Sequence, residues 1–227
     1  DGQTLVNFNI SVAVNADFME RVKKGQEYDL VNPRTGEVTG QLNAKDVFEL
    51  LAQMAWKTGD PGLVFLDLIN RDNPNPQLGE IESTNPCGEV PLLPYEACNL
   101  GSINLAKFVV PSSGSEPAHF DFSKLSQVTE VCARFLDNVV TVNTFPADEV
   151  FQAVQATRKT GLGVMGWHDA LILLGIPYQD KPAFDLAEKV MGTINDTARR
   201  VSTELAASRG AYPSAQRDGA RWPPTWP

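Results

Sequence analysis

Helical segments that stop at glycine alternate with short apolar strands along this chain, and that alternation restricts the fold more than any other feature. Asp17 to Lys24 reads as a short helix closed by Gly25. Asn43 caps a helix from Ala44 to Lys57, with Val47, Leu50, Leu51 and Met54 on one stripe and Gly59 past its end. Ser123 is expected to cap a helix through about Asn138, with Leu125, Val128, Cys132, Phe135 and Val139 at helical spacing. Another, about Asp148 to Lys159, follows Pro146 and stops at Gly161; Trp167 to Leu174 ends at Gly175. Pro182 opens a long amphipathic helix through Leu186, Val190, Ile194, Ala198, Val201 and Leu205 to Gly210. Leu5 to Val14, Leu63 to Leu66 and Leu162 to Met165 read as strands, the last two buried. The pattern predicts an α/β fold with a partly parallel sheet.

The first strand carries a finer signal. Val6, Phe8, Ile10, Val12 and Val14 alternate with Asn7, Asn9, Ser11 and Ala13. One face is apolar and the other small and polar. In an α/β barrel the apolar face meets helices and the polar face lines the lumen; in an antiparallel sheet the polar face is simply wet. Asp29 to Gly40 is turn-rich and reads as an exposed hairpin or loop, and Asn70 to Gly79 as a polar loop. Pro111 to Pro117 reads as a flexible insertion.

Asn85-Pro86-Cys87-Gly88-Glu89 concentrates the chemistry. In an extended segment alternate side chains point the same way, so Asn85, Cys87 and Glu89 would offer an amide, a sulfur and a base to one ligand. Pro86 and Gly88 suggest a tight loop tip that exposes the thiol. Cys98 follows eleven residues later, while Cys132 lies on a helical stripe and reads as packing. A cysteine hydrolase would need a nearby base such as histidine. His119 and His168 are the two histidines, and both read as structural or solvated. No Cys-x-x-Cys pair supports zinc, and no metal ligand set is expected. Gly161-Leu162-Gly163-Val164-Met165-Gly166 lacks the Walker and dinucleotide patterns, so its glycines read as closing tight strand ends.

The net charge of −9 argues against nucleic-acid binding. No run approaches the roughly 18 apolar residues of a membrane span. Three cysteines and no secretion signal fit a reducing cytoplasm. The start lacks Met and the end is Trp222-Pro223-Pro224-Thr225-Trp226-Pro227, which suggests an internal fragment.

The motif block resembles the catalytic subunit of class II, adenosylcobalamin-dependent ribonucleotide reductases. Asn7-Phe8-Asn9-Ile10-Ser11-Val12, Thr58-Gly59-Asp60-Pro61-Gly62, the run Leu92 to Leu105, Phe135-Leu136-Asp137-Asn138 and the run Thr157 to Gly166 carry the same resemblance. It implies the central part of a ten-stranded α/β barrel, incomplete in this chain, spanning residues 1–227 with an internal finger loop at about 84–98. It implies Cys87 as a transient thiyl radical that removes the ribose 3′ hydrogen. Glu89 would be the base for the 3′-hydroxyl, and Asn85 the amide that orients the hydroxyls. Asn85, Pro86, Cys87, Gly88 and Glu89 would contact substrate. Cys98 would be half of a redox pair whose other cysteine lies before Asp1.

The implied partners are a ribonucleotide, a thioredoxin- or glutaredoxin-type reductant, allosteric nucleotides in the full-length protein and the missing segments of the same barrel. On this reading the chain alone does not turn over. Class I enzymes, which use a separate radical-generating subunit, usually read Asn-Leu-Cys-x-Glu with a longer gap to the later cysteine. Pro86, Gly88 and the eleven-residue gap favour class II. A non-catalytic fragment that binds a partner completing the barrel, and a thiol–disulfide protein unrelated to nucleotides, remain alternatives at this stage.

Overall fold

The computed structural model describes residues 7–216 of the chain, as two compact units. The first holds residues up to Asn73 together with Gly79–Pro94; the second holds Pro74–Leu78 and the residues from Tyr95 onward.

In the first unit, β1 (Ser11–Val14) leads into α1 (Ala16–Lys24), then the hairpin of β2 (Glu27–Val31) and β3 (Val38–Asn43). α2 (Ala44–Thr58), β4 (Gly62–Phe65), α3 (Leu66–Arg71) and a short hairpin of β5 (Ser83–Thr84) and β6 (Pro91–Leu92) follow. β1 and β4 run parallel, from Ser11 opposite Gly62 to Val14 opposite Phe65. A Cβ on Gly62 would sit 3.0 Å from the Ser11 hydroxyl oxygen, a close approach that the Ser11 side chain would have to relieve by turning. The Asn15 side chain accepts the Phe18 N–H and caps α1, which Gly25 closes in the left-handed region at φ 63°. Asn43 caps α2 as expected, and its Nδ2 also donates to the Gly25 carbonyl, tying one helix end to the next helix start.

Two strand expectations need correction. β1 is four residues long: Phe8 and Ile10 precede it and are exposed, while Leu5 and Val6 lie outside the described residues. Leu63 and Phe65 are more than a third exposed, because β4 has a single neighbour and one face of the pair stays open. Leu66, expected in the strand, starts α3, whose Asp67 carboxylate accepts the Ala16 N–H at 2.8 Å.

The second unit contains β7 (Asn99–Asn104), β8 (Val109–Val110), β9 (His119–Phe120), α4 (Phe122–Val142), α5 (Asp148–Thr157), β10 (Thr160–Met165), α6 (Trp167–Leu174) and α7 (Lys181–Arg209). β7 and β10 run parallel, from Asn99 opposite Thr160 to Asn104 opposite Met165. Their helix-facing side, with Ile103, Leu162 and Val164, joins a core with Leu125, Val190 and Ile194. The other side keeps Leu100 and Met165 half-exposed. Gly161 lies within β10 rather than at its end; a Cβ there would meet Leu100 Cδ2 at 2.5 Å, so this glycine makes room for a neighbour. Between β8 and β9 the expected insertion folds into a turn, with Ser113 and Glu116 exchanging backbone hydrogen bonds.

α4 departs most from expectation. Asp121, not Ser123, caps it through the Lys124 N–H, and it runs to Val142. Its buried line is Leu125, Thr129, Ala133, Leu136 and Val140, while Phe135 is 62% exposed. Leu125, Val128 and Cys132 of the expected stripe meet the core and Val139 is half-buried; Phe135 alone faces out, because the polar residues Thr129 and Asp137 take core positions. The Thr129 hydroxyl is satisfied by the Leu125 carbonyl at 2.8 Å, which removes the penalty of burying it.

Helices and partly parallel strands alternate, as an α/β fold requires. Among the described residues the strands form five two-stranded sheets and no closed barrel. No helix among them is long and apolar enough to cross a membrane.

Candidate active site

Cys87 sits at the tip of the β5–β6 hairpin as an exposed free thiol. The loop that carries it is a turn, not the extended segment expected. Pro86 fixes φ at the first corner. The Gly88 N–H returns to the Asn85 carbonyl at 3.0 Å, and Gly88 takes φ 91°, which a side chain would resist. The strands could not close above this turn by backbone alone, because the Asn85 carbonyl is diverted to Gly88 and to the Thr84 hydroxyl. The Asn85 side chain replaces it. Asn85 N–H donates to the Val90 carbonyl at 3.0 Å, and Asn85 Oδ1 accepts the Val90 N–H at 2.9 Å. That pairing identifies which amide atom is oxygen. It leaves the Asn85 Nδ2 group as a donor with no hydrogen bond among the described residues.

Asn85 is half-buried, while Pro86, Cys87, Gly88 and Glu89 are exposed. The loop therefore presents a donor, a thiol and a carboxylate within five residues, on a backbone held by its own hydrogen bonds. A cleft of about 220 Å³ lies beside it, lined by Asn9, Ser11, Glu82, Thr84, Asn85 and Pro86 among others. Asn9 was not singled out from the sequence as a site residue. Its Nδ2 donates to the Pro86 carbonyl at 3.0 Å, a link across 77 residues that no local pattern reports.

Cys98 lies in the second unit, half-buried, immediately before β7. Close to it in sequence, Glu96 forms an ion pair with Lys159 at 2.5 Å, the carboxylate side chain fully buried and the lysine 11% exposed. Cys132 packs against the core of the second unit, and burial pushes its thiol pKa up, as a packing residue requires. His168 opens α6 and packs edge-on against Tyr178, while His119 is in β9. Neither is placed as a base beside Cys87 by any observed contact. Among the described residues no group of three or more His, Cys, Asp and Glu side chains could hold a metal ion.

The second unit has a larger cavity, about 470 Å³, with Asp137, Arg158, Arg209 and Tyr212 on its walls. Its charges answer one another. Arg158 grips the Asp137 carboxylate through Nε and Nη2 at 2.9 and 2.7 Å, and Arg209 takes the other oxygen.

Residues 2–222 match the family model described as ribonucleotide reductase, barrel domain. The chain belongs to the ribonucleotide reductase barrel-domain family. It is 47% identical, over 98% of its length, to a vitamin B12-dependent ribonucleoside-diphosphate reductase of Thermoplasma acidophilum. It is 48% identical, over 92% of its length, to a protein of the same description from Mycobacterium tuberculosis. A ribonucleoside-diphosphate reductase large subunit of Caenorhabditis elegans is 31% identical over 86% of the chain. The chain spans 28%, 30% and 27% of these three proteins, so it corresponds to one segment of each.

Proposed function

We propose that this chain is the part of a vitamin B12-dependent ribonucleotide reductase that carries the radical-bearing cysteine and the acid–base residue of the reaction. The observation that carries this reading is the loop of Cys87: an exposed thiol at a fixed turn, with the Asn85 amide and the Glu89 carboxylate in the same five residues, in a chain of this family. Identities of 47% and 48% to B12-dependent relatives, against 31% to a large subunit of the other description, favour adenosylcobalamin as the radical source.

The residues fit that cofactor in one testable respect. The Cys87 thiol is open at a loop tip, as hydrogen-atom transfer to an external acceptor requires. Adenosylcobalamin, when bound, would supply the radical chemistry that turns the Cys87 thiol into a thiyl. In the proposed sequence the Cys87 sulfur takes the 3′ hydrogen of the ribose and returns it to the same carbon after the 2′-hydroxyl has left. Glu89 accepts the 3′-hydroxyl proton, which eases departure of the 2′-hydroxyl as water. The Asn85 Nδ2 group donates to the sugar hydroxyls and favours the charge that develops there. Cys98 and a second cysteine outside these residues give two electrons and two protons and close to a disulfide. A dithiol protein of the thioredoxin or glutaredoxin type reopens it, with its own dithiol oxidised in turn. Each turnover thus converts a ribonucleotide and a dithiol to a deoxyribonucleotide, a disulfide and water.

The finer architecture belongs to the same proposal. It consists of a ten-stranded barrel with the Cys87 loop as a finger at about 84–98, allosteric nucleotides elsewhere in the full protein, and a cytoplasmic setting. The test uses the intact reductase that contains this segment. Cys87→Ser should abolish deoxyribonucleotide formation, because a hydroxyl cannot replace the thiol as hydrogen carrier. Glu89→Gln should lower kcat by about 100-fold or more with KM little changed. Measurable product from Cys87→Ser, or an unchanged kcat in Glu89→Gln, would refute the assignment.

A further inference from the structure

The amide of Asn9 has no part in the chemistry above, yet it reaches the peptide that precedes Cys87. Three observations converge on it. Its own backbone is anchored: the Gly62 N–H donates to the Ile10 carbonyl at 2.9 Å, and the parallel β1–β4 ladder begins at the next residue. Its Nδ2 donates to the Pro86 carbonyl oxygen at 3.0 Å. It lines the cleft beside the loop, with Ser11 and Asn85.

The consequence follows from backbone freedom. Pro86 cannot vary φ, because its ring locks that angle. The peptide bond that follows is planar. With the Asn85 carbonyl held by the Gly88 N–H, Pro86 ψ is the soft dihedral that orients the Pro86–Cys87 peptide. That angle sets both where the Pro86 carbonyl points and where the Cys87 Cα–Cβ bond starts. On the far side of Cys87, the Gly88 N–H is already tied to the Asn85 carbonyl. The hydrogen bond from Asn9 restrains that peptide, from a residue two positions before a parallel strand pair.

We infer that Asn9 is a positioning residue for Cys87: it holds the Pro86–Cys87 peptide and with it the place from which the thiol projects. The kinetic consequence rests on the reductase reading above; the structural one does not. Hydrogen-atom transfer needs the donor and acceptor in near contact, and a misplacement of about 1 Å can cost about 10²-fold in rate. Substrate recognition by other groups would be little affected. Loss of Asn9 should therefore appear in kcat rather than KM.

Asn9→Asp is the sharpest variant, because it keeps the shape and removes the donor. Asn9→Ala is the second variant, and Asn9→Gln retains the donor. The direct measurement uses the intact reductase that contains this segment, with its other reactive cysteines replaced by serine and a nitroxide on Cys87. Asn9→Asp and Asn9→Ala should give a more mobile spectrum, and Asn9→Gln should recover part of the order. In the intact reductase the first two should lower kcat by about 10- to 100-fold, with KM within about threefold, and Asn9→Gln should rescue in part. Unchanged label mobility in both loss variants, or equal changes in kcat and KM, would overturn the inference. Because the label reports without turnover, activity surviving in Cys87→Ser would sink the function and leave the anchoring result to stand on its own.

Discussion

Arg158 allows two opposing effects to be separated in one residue. It ends α5 in the left-handed region at φ 49°, a conformation that costs a residue with a Cβ about 1 kcal/mol. It also grips Asp137, whose side chain is 6% exposed against 19% for Arg158 itself. Further bonds run from Arg158 Nη2 to the Asp137 carbonyl at 2.8 Å and the Thr141 hydroxyl at 2.9 Å, and from Nη1 to Gln155 Oε1 at 3.2 Å. Removing one partner of a buried, hydrogen-bonded pair costs about 3–5 kcal/mol, mostly because the other charge stays buried. Arg209 also bonds Asp137 but is 46% exposed, so it retains the carboxylate only partly and brings the expected loss to the lower end.

Arg158→Ala should therefore destabilise by about 3 kcal/mol. Arg158→Gly loses the same contacts but relieves the backbone, so it should cost about 2 kcal/mol. With a urea m-value of about 2 kcal/mol/M, the midpoints should fall by about 1.5 M and 1 M. Urea unfolding followed by far-UV circular dichroism reads both. A loss below about 1 kcal/mol in Arg158→Ala would show that the pair behaves like a surface contact. A glycine variant no more stable than the alanine variant would show that φ 49° carries no strain.

The phase of α4 gives a second expectation: Leu136→Ala, at a position 2% exposed, should cost about 3 kcal/mol, and Phe135→Ala, at 62% exposed, less than about 1 kcal/mol by the same urea assay. The reverse order would put Phe135 on the core side. A third concerns alkaline pH. Burial raises the pKa of both the Cys132 thiol and the Tyr212 phenol, so the folded chain holds these protons more tightly than the unfolded chain. Their contribution is complete at neutral pH and is lost as pH rises above about 9, through the raised values. Urea midpoints should decline there, and Cys132→Ala with Tyr212→Phe should flatten the decline; a decline unaltered by both changes would refute the cause.

What was legible in the sequence was whatever is decided within a few residues. Asn43 and Gly59 bound α2, and Gly175 and Gly210 close α6 and α7, because caps satisfy the nearest orphan backbone groups. The Cys87 loop was legible as an exposed tip for the same reason, from Pro86 and Gly88. The rest depends on distant partners. The core line of α4 includes Asp137, which no apolar pattern would admit; its burial is tolerated because Arg158 and Arg209 arrive from 21 and 72 residues away. The extended reading of Asn85, Cys87 and Glu89 failed because the Asn85 side chain takes the place of its own carbonyl in the strand pair, a choice that alternation cannot express.

The two-faced first strand can now be read further. Val14 is buried and Val12 half-buried, bounding a cavity of about 550 Å³ with Phe18 of α1 and Val47 of α2. The other face, with Ser11, Ala13 and, across the ladder, Val64, borders the cleft beside the Cys87 loop. So the apolar side of β1 meets helices and its small polar side meets the loop. The parallel pairing of β1 with β4 sets it apart from an antiparallel strand with one wet face. β7 and β10 repeat it within their own unit. Ile103, Leu162 and Val164 face the helical core, while Leu100, Ser102, Gly161, Gly163 and Met165 leave the other face open. Leu100 and Met165 are large and half-exposed on that face, while Ser102, Gly161 and Gly163 leave it little further bulk. Apolar burial is given up on this face, and a substrate docking there in the proposed reaction is the reason that fits.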